Sequence, residues 1–125
     1  MNPVIDQYGN KYWYLYDQLH NPIHLHRVDG PAIERANGNK WWFINDQLHS
    51  PIQLDGAYGP AIEWANGDKE WYINGKRHRE DGPAVMRTNN DVYKYKYKYK
   101  WYINGELIKK SNDYIIKVKS AKNKI

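Results

Sequence analysis

The 125-residue sequence predicts an all-β fold: an antiparallel meander of about four β-hairpin repeats curled into a single sheet. Three observations predict it. A block is written three times and then rewritten: Trp13-Tyr14-Leu15-Tyr16-Asp17-Gln18-Leu19-His20, Trp42-Phe43-Ile44-Asn45-Asp46-Gln47-Leu48-His49, Trp71-Tyr72-Ile73-Asn74-Gly75-Lys76-Arg77-His78 and Trp101-Tyr102-Ile103-Asn104-Gly105-Glu106-Leu107-Ile108. Upstream of the later blocks stand Gly30-Pro31-Ala32-Ile33-Glu34, Gly59-Pro60-Ala61-Ile62-Glu63 and Gly82-Pro83-Ala84-Val85. Asn-Gly dipeptides separate alternating segments, the strongest short hairpin signal, because a type I′ turn needs positive φ at both central residues.

The elements follow in order. The repeats span approximately residues 3–28, 29–54, 55–80 and 81–112 of one domain, 1–125, with a basic strand or tail at 113–125. In the third, Ala61 to Ala65 reads as a strand, Asn66-Gly67 as a two-residue turn, Asp68 to Ile73 as the next strand, Asn74-Gly75 as a second turn and Lys76 to Glu80 as the last strand. Counting outward from these turns sets Ile62 opposite Trp71 and Trp71 opposite His78, and likewise Ile33, Trp42 and His49, and Trp13 with His20. The other face pairs Tyr14 with Leu19, Phe43 with Leu48, Tyr72 with Arg77 and Tyr102 with Leu107. This second apolar stripe is expected to stay partly exposed on a curled sheet. Two insertions, Asn21 to His26 and Ser50 to Asp55, carry Pro-Ile cores that suggest bulged or edge extensions.

Composition narrows the class. Six Trp and twelve Tyr against one Phe and two Met imply a core of large amphipathic rings. With no Cys, a disulfide framework and a thiolate metal site are excluded. The first residues carry no basic stretch followed by an apolar one, and no run approaches the ~18 apolar residues of a membrane span, so a soluble, cytoplasmic protein is expected. The net charge of +5 is uneven: residues 1–86 carry 8 Lys/Arg against 11 Asp/Glu, and residues 87–125 carry 11 against 3. A basic end is where an anionic partner would be sought.

Trp-Tyr-Ile-Asn-Gly, then two residues, then His-Arg-x-Asp-Gly-Pro-Ala, as in Trp71 to Ala84 and partly in His26 to Ala32, resembles the variant MORN-type repeats of small proteins from bacteriophages, large DNA viruses and some bacteria. The resemblance covers roughly residues 3–110 and implies an elongated β-hairpin array acting as a binding scaffold. It also implies a viral source, with a role in blocking or sequestering a factor in the host cytoplasm.

The sharpest candidate site is the segment Val92 to Trp101, which alternates with period two and places Lys94, Lys96, Lys98 and Lys100 on one face and tyrosines on the other. If the hairpin at Asn104-Gly105 is long, Lys109 lies opposite Lys100, and Lys117 and Lys119 join the lysine face, while Tyr114 and Ile116 join the tyrosines. Such a ribbon suits phosphates and bases; it equally suits an edge strand that lysines protect from aggregation. Arg77 and Arg79 extend the basic surface, and Tyr72 and Tyr102 supply aromatic anchors. Arg79-x-Asp81 and Arg27-x-Asp29 are read first as turn organisers and second as an anion-binding ladder. His20, His24 and His26 could meet on zinc, but the repeat position of His20, His49 and His78 accepts Ile108, which points to packing, so no metal site is assigned. Glu63 and Glu70 would face each other across a hairpin, where they read as a solvated pair rather than an acid/base couple. No nucleophile constellation or phosphate-cradling glycine loop is present, so no enzyme and no cofactor are expected. The expectation is a non-enzymatic scaffold for a protein partner, with nucleic acid or a nucleotide as the alternative. Charged edges favour a closed homodimer over indefinite stacking.

Overall fold

The structure is a computed structural model that describes residues 2–88 and 96–113. In the first unit the strands are β1 (Val4–Ile5), β2 (Lys11–Tyr12), β3 (Tyr14–Tyr16) and β4 (Pro22–Leu25); in the second, β5 (Ile33–Glu34), β6 (Lys40–Trp41), β7 (Phe43–Ile44) and β8 (Gln47–Leu48). The third has β9 (Ile62–Glu63), β10 (Lys69–Glu70), β11 (Tyr72–Ile73) and β12 (Lys76–Arg77), and the fourth β13 (Val85–Met86), β14 (Tyr99–Ile103) and β15 (Glu106–Ser111). Nine of them join in the order β1-β2-β5-β6-β9-β10-β13-β14-β15 into one open sheet, while β3-β4, β7-β8 and β11-β12 form two-stranded ladders. The all-β antiparallel hairpin array read from the sequence is the fold. Among the described residues no helix is long and apolar enough to cross a membrane.

In the first three units the chain leaves the large sheet at the repeated Trp, whereas Trp101 stays within β14. The N–H groups of Trp13, Trp42 and Trp71 donate across to the carbonyls of Ala32, Ala61 and Ala84 in the following unit, each at 2.8 Å. Those alanines are fully buried at 0% exposure, so the Gly-Pro-Ala motif marks the place where two units touch backbone to backbone. Trp13 and Trp71 are themselves buried.

The second and third units each have two turns of different kinds. Asn74-Gly75 is the expected two-residue turn, with φ of 50° and 80°, and Tyr72 faces Arg77 across it. Asn45-Asp46 makes the same turn without glycine, at 49° and 66°, using the residue types that, after glycine, visit the left-handed region most readily. Phe43 faces Leu48 and Tyr102 faces Leu107, as the sequence predicts. The first turn differs. Only Gly67 has positive φ there, at 96°, and Trp64 accepts from the Gly67 N–H and donates to the Asp68 carbonyl, both at 2.9 Å. That is a three-residue loop with a glycine bulge.

The extra loop residue corrects the expected register by one. Ile62 faces Glu70 rather than Trp71, and Glu63 faces Lys69 rather than Glu70. Ile33 faces Trp41 rather than Trp42, and Glu34 faces Lys40. The first unit carries a second correction: His26, not His20, lies across from Trp13, its N–H donating to the Trp13 carbonyl at 3.0 Å, and Tyr14 faces Leu25, not Leu19. His20 occupies the hairpin tip with φ of 63°. The first insertion therefore lengthens a hairpin, with a bulge between Leu15 and Tyr16. The second is an excursion between units, closed by a single bridge between Ile52 and Tyr58.

The lysine ribbon is also re-registered. β14 begins at Tyr99, so Lys96 and Lys98 precede it. A bulge between Trp101 and Tyr102 puts Lys110 opposite Lys100 and Lys109 opposite Trp101, so Lys109 does not join the face of Lys100. Lys94, Tyr114, Ile116, Lys117 and Lys119 lie outside the described residues.

Two hydrogen-bond ladders lock the units together. His26, His49 and His78 each accept through Nδ1 from the N–H of the turn asparagine in the next unit: Asn45 at 3.1 Å, Asn74 at 3.2 Å and Asn104 at 3.0 Å. The following turn residue, Asp46, Gly75 or Gly105, donates to the carbonyl of Leu25, Leu48 or Arg77. At the other end of the units, side-chain oxygens of Asn10, Asn39 and Asp68 accept from the backbone N–H of Ala36, Ala65 and Thr88. The repeated histidine is thus a polar joint, not only a packing residue.

Candidate ligand-binding face

Residues directly opposite on neighbouring strands share a face, and successive residues alternate. The register therefore gives two rows across the large sheet. One contains Lys11, Glu34, Lys40, Glu63 and Lys69, alternating in sign, and ends on Met86, Tyr99 and Ser111. The other runs Tyr12, Ile33, Trp41, Ile62, Glu70, Val85, Lys100, Lys110. In this second row Ile33, Ile62 and Val85 recur as buried aliphatics. The residue just before the repeated Trp changes from unit to unit: Tyr12, Trp41, Glu70, Lys100.

Side chains on this second face are linked from unit to unit. The Arg35 guanidinium lies over Tyr12 at 5.8 Å and Trp41 at 5.2 Å and donates to the Tyr12 hydroxyl. Trp41 meets Trp64 edge to face at 5.6 Å. Trp64 Nε1 donates to Glu70 Oε2 at 2.8 Å, the Tyr72 hydroxyl donates to Oε1 at 3.1 Å, and Arg77 reaches Oε1 at 3.2 Å. Arg77 Nε also donates to the Tyr72 hydroxyl, and its guanidinium sits 5.3 Å from the Tyr102 ring. Glu70 is 4% exposed, whereas Tyr12, Trp41, Trp64, Tyr72 and Tyr102 are all half-buried. A buried carboxylate survives only when paired and hydrogen-bonded, and Glu70 has two donors, Arg77, and Arg87 at 3.7 Å. Burial, and then the Glu70 charge, push the Tyr72 phenol above its ordinary pKa. Burial alone would lower the Arg77 pKa, but Tyr72 and Glu70 outweigh it and raise the net value.

Asp68 forms a second buried site beside this one. It is 1% exposed, accepts from the Thr88 N–H at 2.8 Å and hydroxyl at 3.0 Å, and lies 3.5 Å from Arg87. Burial by itself would raise its pKa, but the Thr88 hydrogen bonds and the Arg87 charge hold it below the ordinary value of 3.8.

Of the site residues expected from sequence, Tyr72, Arg77 and Tyr102 come together on this face, and Lys100 lies at its end. Arg79 is on the other face, with its guanidinium 3.8 Å from the Trp71 ring, Nε on Asp81 and Nη1 on the Pro83 carbonyl. Arg27 repeats the arrangement at 3.9 Å from Trp13, with Asp29 and the Pro31 carbonyl. A Cβ on Gly30 or Gly82 would lie 2.7 or 2.9 Å from the respective Cζ, so a side chain there would push the guanidinium off its Trp ring. Lys96 and Lys98 lie beside Tyr97 and Tyr99. Lys109 faces Trp101, and Lys94 is outside the described residues. Sequence reasoning missed Arg35, Trp41, Trp64 and Lys110, and it read Glu70 as solvated opposite Glu63, whereas Glu70 is buried and paired with Arg77. For Trp41 and Glu70 the signal was the position just before the repeated Trp, which varies from unit to unit; a register off by one concealed it.

Two clefts open beside the histidine ladder, about 480 Å³ against Gly56 to Tyr58, Ile73 and His78 to Asp81, and about 370 Å³ against Arg27, Val28, Trp42, Ile44 and His49 to Ile52. His49, His78, Arg27 and Arg79 all spend hydrogen bonds within the fold there. His24 pairs with Asp46, whose pKa falls chiefly through that hydrogen bond. Among the described residues no group of three His, Asp or Glu is arranged to hold a metal ion. The chain matches no family model, no curated protein and no solved structure.

Proposed function

We propose that the protein is a non-enzymatic binding scaffold that engages a protein partner through the aromatic face carrying Tyr12, Trp41, Trp64, Tyr72 and Tyr102. The observation behind this reading is the row of half-buried aromatics and arginines crossing all four units, set against an opposite face whose charges alternate in sign from strand to strand. Repeat arrays hold constant the positions that join units and use the others on an extended surface. Here the constant positions include the joints, and the variable positions of Tyr12, Trp41 and Trp64 line the aromatic face beside the repeated aromatic of Tyr72 and Tyr102. Half-exposed Trp, Tyr and Arg are the residues in which interface energy concentrates.

The test is quantitative affinity capture from cells of the source organism, comparing the wild type with Trp41→Ala, Tyr102→Ala and the opposite-face pair Lys40→Gln/Lys69→Gln. A partner held through this face is lost by about tenfold or more with either aromatic variant, the scale of an interface anchor, and retained by the lysine pair. A partner retained by all variants, or lost equally by all, sinks the reading.

A second reading, nucleic acid or nucleotide binding by the Lys/Tyr segment, draws support from Lys100 lying directly opposite Lys110, an arrangement that repels unless an anion neutralises it. Binding of oligonucleotides that weakens steeply with salt and falls on Lys100→Glu would favour it.

A further inference from the structure

We infer that the occupant of the aromatic face is an extended, acidic polypeptide segment that crosses the strands, placing apolar side chains on Trp41 and Trp64 and carboxylates on Lys100 and Lys110. This rests on the protein-partner reading above and specifies the chemistry of the partner.

Charge distribution carries the inference. The opposite row alternates Lys11, Glu34, Lys40, Glu63, Lys69, so each lysine has a cross-strand carboxylate neighbour. On the aromatic face both buried carboxylates are already committed, Glu70 to Arg77 and Asp68 to Arg87. The cations left over stand at the two ends of the row. Arg35, exposed, lies against Tyr12 and Trp41 at one end, and at the other Lys100 opposes Lys110, whose ammonium lies 5.0 Å from the Tyr97 ring and pairs with no carboxylate among the described residues. An incoming chain meets positive charge, then aromatic surface, then positive charge, which complements a segment with acidic residues flanking apolar ones.

The geometry favours a polypeptide over nucleobases. The ring faces that bases would stack on are shared with guanidinium groups, Arg35 over Tyr12 and Trp41, and Arg77 over Tyr72 and Tyr102. Trp41 on β6 and Lys100 on β14 are four strand steps apart in the sheet order. At roughly 4.8 Å per step this is about 19 Å, a span that roughly six extended residues cover.

The experiment uses the full chain and a random copolymer of glutamate and tyrosine as probe, with poly-glutamate and an oligothymidylate beside it, at about 0.15 M salt, where loose surface attraction is screened. Trp emission and the anisotropy of labelled probe report binding, and circular dichroism confirms that each variant is folded. The copolymer is expected to bind more tightly than poly-glutamate or the oligothymidylate. Lys100→Gln/Lys110→Gln should weaken it about tenfold, as loss of two charge contacts implies, and Lys40→Gln/Lys69→Gln, the same charge change on the other face, should move it less than about twofold. Equal weakening by both pairs, or preference for the oligothymidylate, overturns the inference. Binding lost with Trp41→Ala but not with the Lys100/Lys110 pair overturns the acidic partner and leaves the aromatic face standing. Binding lost with the lysine pair but untouched by Trp41→Ala overturns the aromatic face itself.

Discussion

Two histidines six residues apart should respond very differently to removal. His26→Ala deletes the Nδ1 that accepts the Asn45 N–H at 3.1 Å and joins the first unit to the second. A net intramolecular hydrogen bond is worth about 1 kcal/mol, and the freed N–H lies near enough to solvent to recover part of it, so the loss expected is about 0.5–1 kcal/mol from the bond. The half-buried ring adds packing of similar size, for a total of about 1–2 kcal/mol, or roughly 4–8 °C in a domain this small. His20→Ala removes a side chain from an exposed hairpin tip, where surface substitutions stay within about 0.5 kcal/mol. Urea unfolding followed by the emission of buried Trp13 and Trp71 reads the difference, and amide exchange at Asn45 reads its location, accelerating in His26→Ala alone. Equal destabilisation by the two substitutions, or an unchanged Asn45 amide, would refute the assignment of His26 as the joint and restore the pairing of Trp13 with His20.

Two further outcomes follow from the same contacts. The folded-state pKa of Asp68 lies below its unfolded value, so its stabilisation is complete above the unfolded pKa, about 4, and is lost as pH falls through the folded pKa; Asp68→Asn should flatten that acid limb in urea midpoints taken from pH 7 downward. Arg79→Lys keeps the charge but loses the planar stack on Trp71 and the paired contacts to Asp81 and the Pro83 carbonyl, for a cost of about 1–2 kcal/mol in thermal unfolding; a variant as stable as wild type would show that the stack contributes nothing.

The repeat, the turns and the pairing across the second turn were legible because type I′ geometry leaves a plain dipeptide signal. The first turn misled because Asn-Gly suits both a two-residue turn and a three-residue loop with a glycine bulge. What separates them is the next residue. Gly9, Gly38 and Gly67 precede Asn10, Asn39 and Asp68, short polar side chains that accept a backbone N–H from the neighbouring unit, whereas Gly75 and Gly105 precede Lys76 and Glu106. Asp17-Gln18-Leu19-His20 and Asp46-Gln47-Leu48-His49 are identical in sequence, yet only the second places its His across from Trp. The deciding constraint is tertiary: the His must lead into the backbone contact with the next unit, and the first insertion precedes that contact while the second follows the His. Reading outward from Gly30-Pro31-Ala32 instead of forward from Trp13 would have found His26. The aromatic face stayed hidden for a related reason, since a slip of one residue sends Trp41 and Glu70 to the other side of the sheet.

Glu70 is where stability and binding part company. Its equivalents in the preceding unit form an apolar set: Trp41 for Glu70, Phe43 for Tyr72 and Leu48 for Arg77, with Arg35 in the place of Trp64. A buried ion pair gives little advantage over well-packed apolar residues, but deleting one member leaves the other without its partner. Glu70→Leu should therefore cost about 3 kcal/mol, the low end for a broken buried pair because Arg77 keeps about a third of its side chain in water. Transplanting the whole set, Trp64→Arg, Glu70→Trp, Tyr72→Phe and Arg77→Leu together, should recover most of that loss, since no buried charge is left unpaired. If the aromatic face is the contact surface, the transplant restores folding without restoring partner binding, because the arginine held between Tyr72 and Tyr102 is gone. A transplant as unstable as Glu70→Leu would mean that the unit depends on its ion network for folding, and one that binds as wild type would remove the reason for keeping a carboxylate in the core.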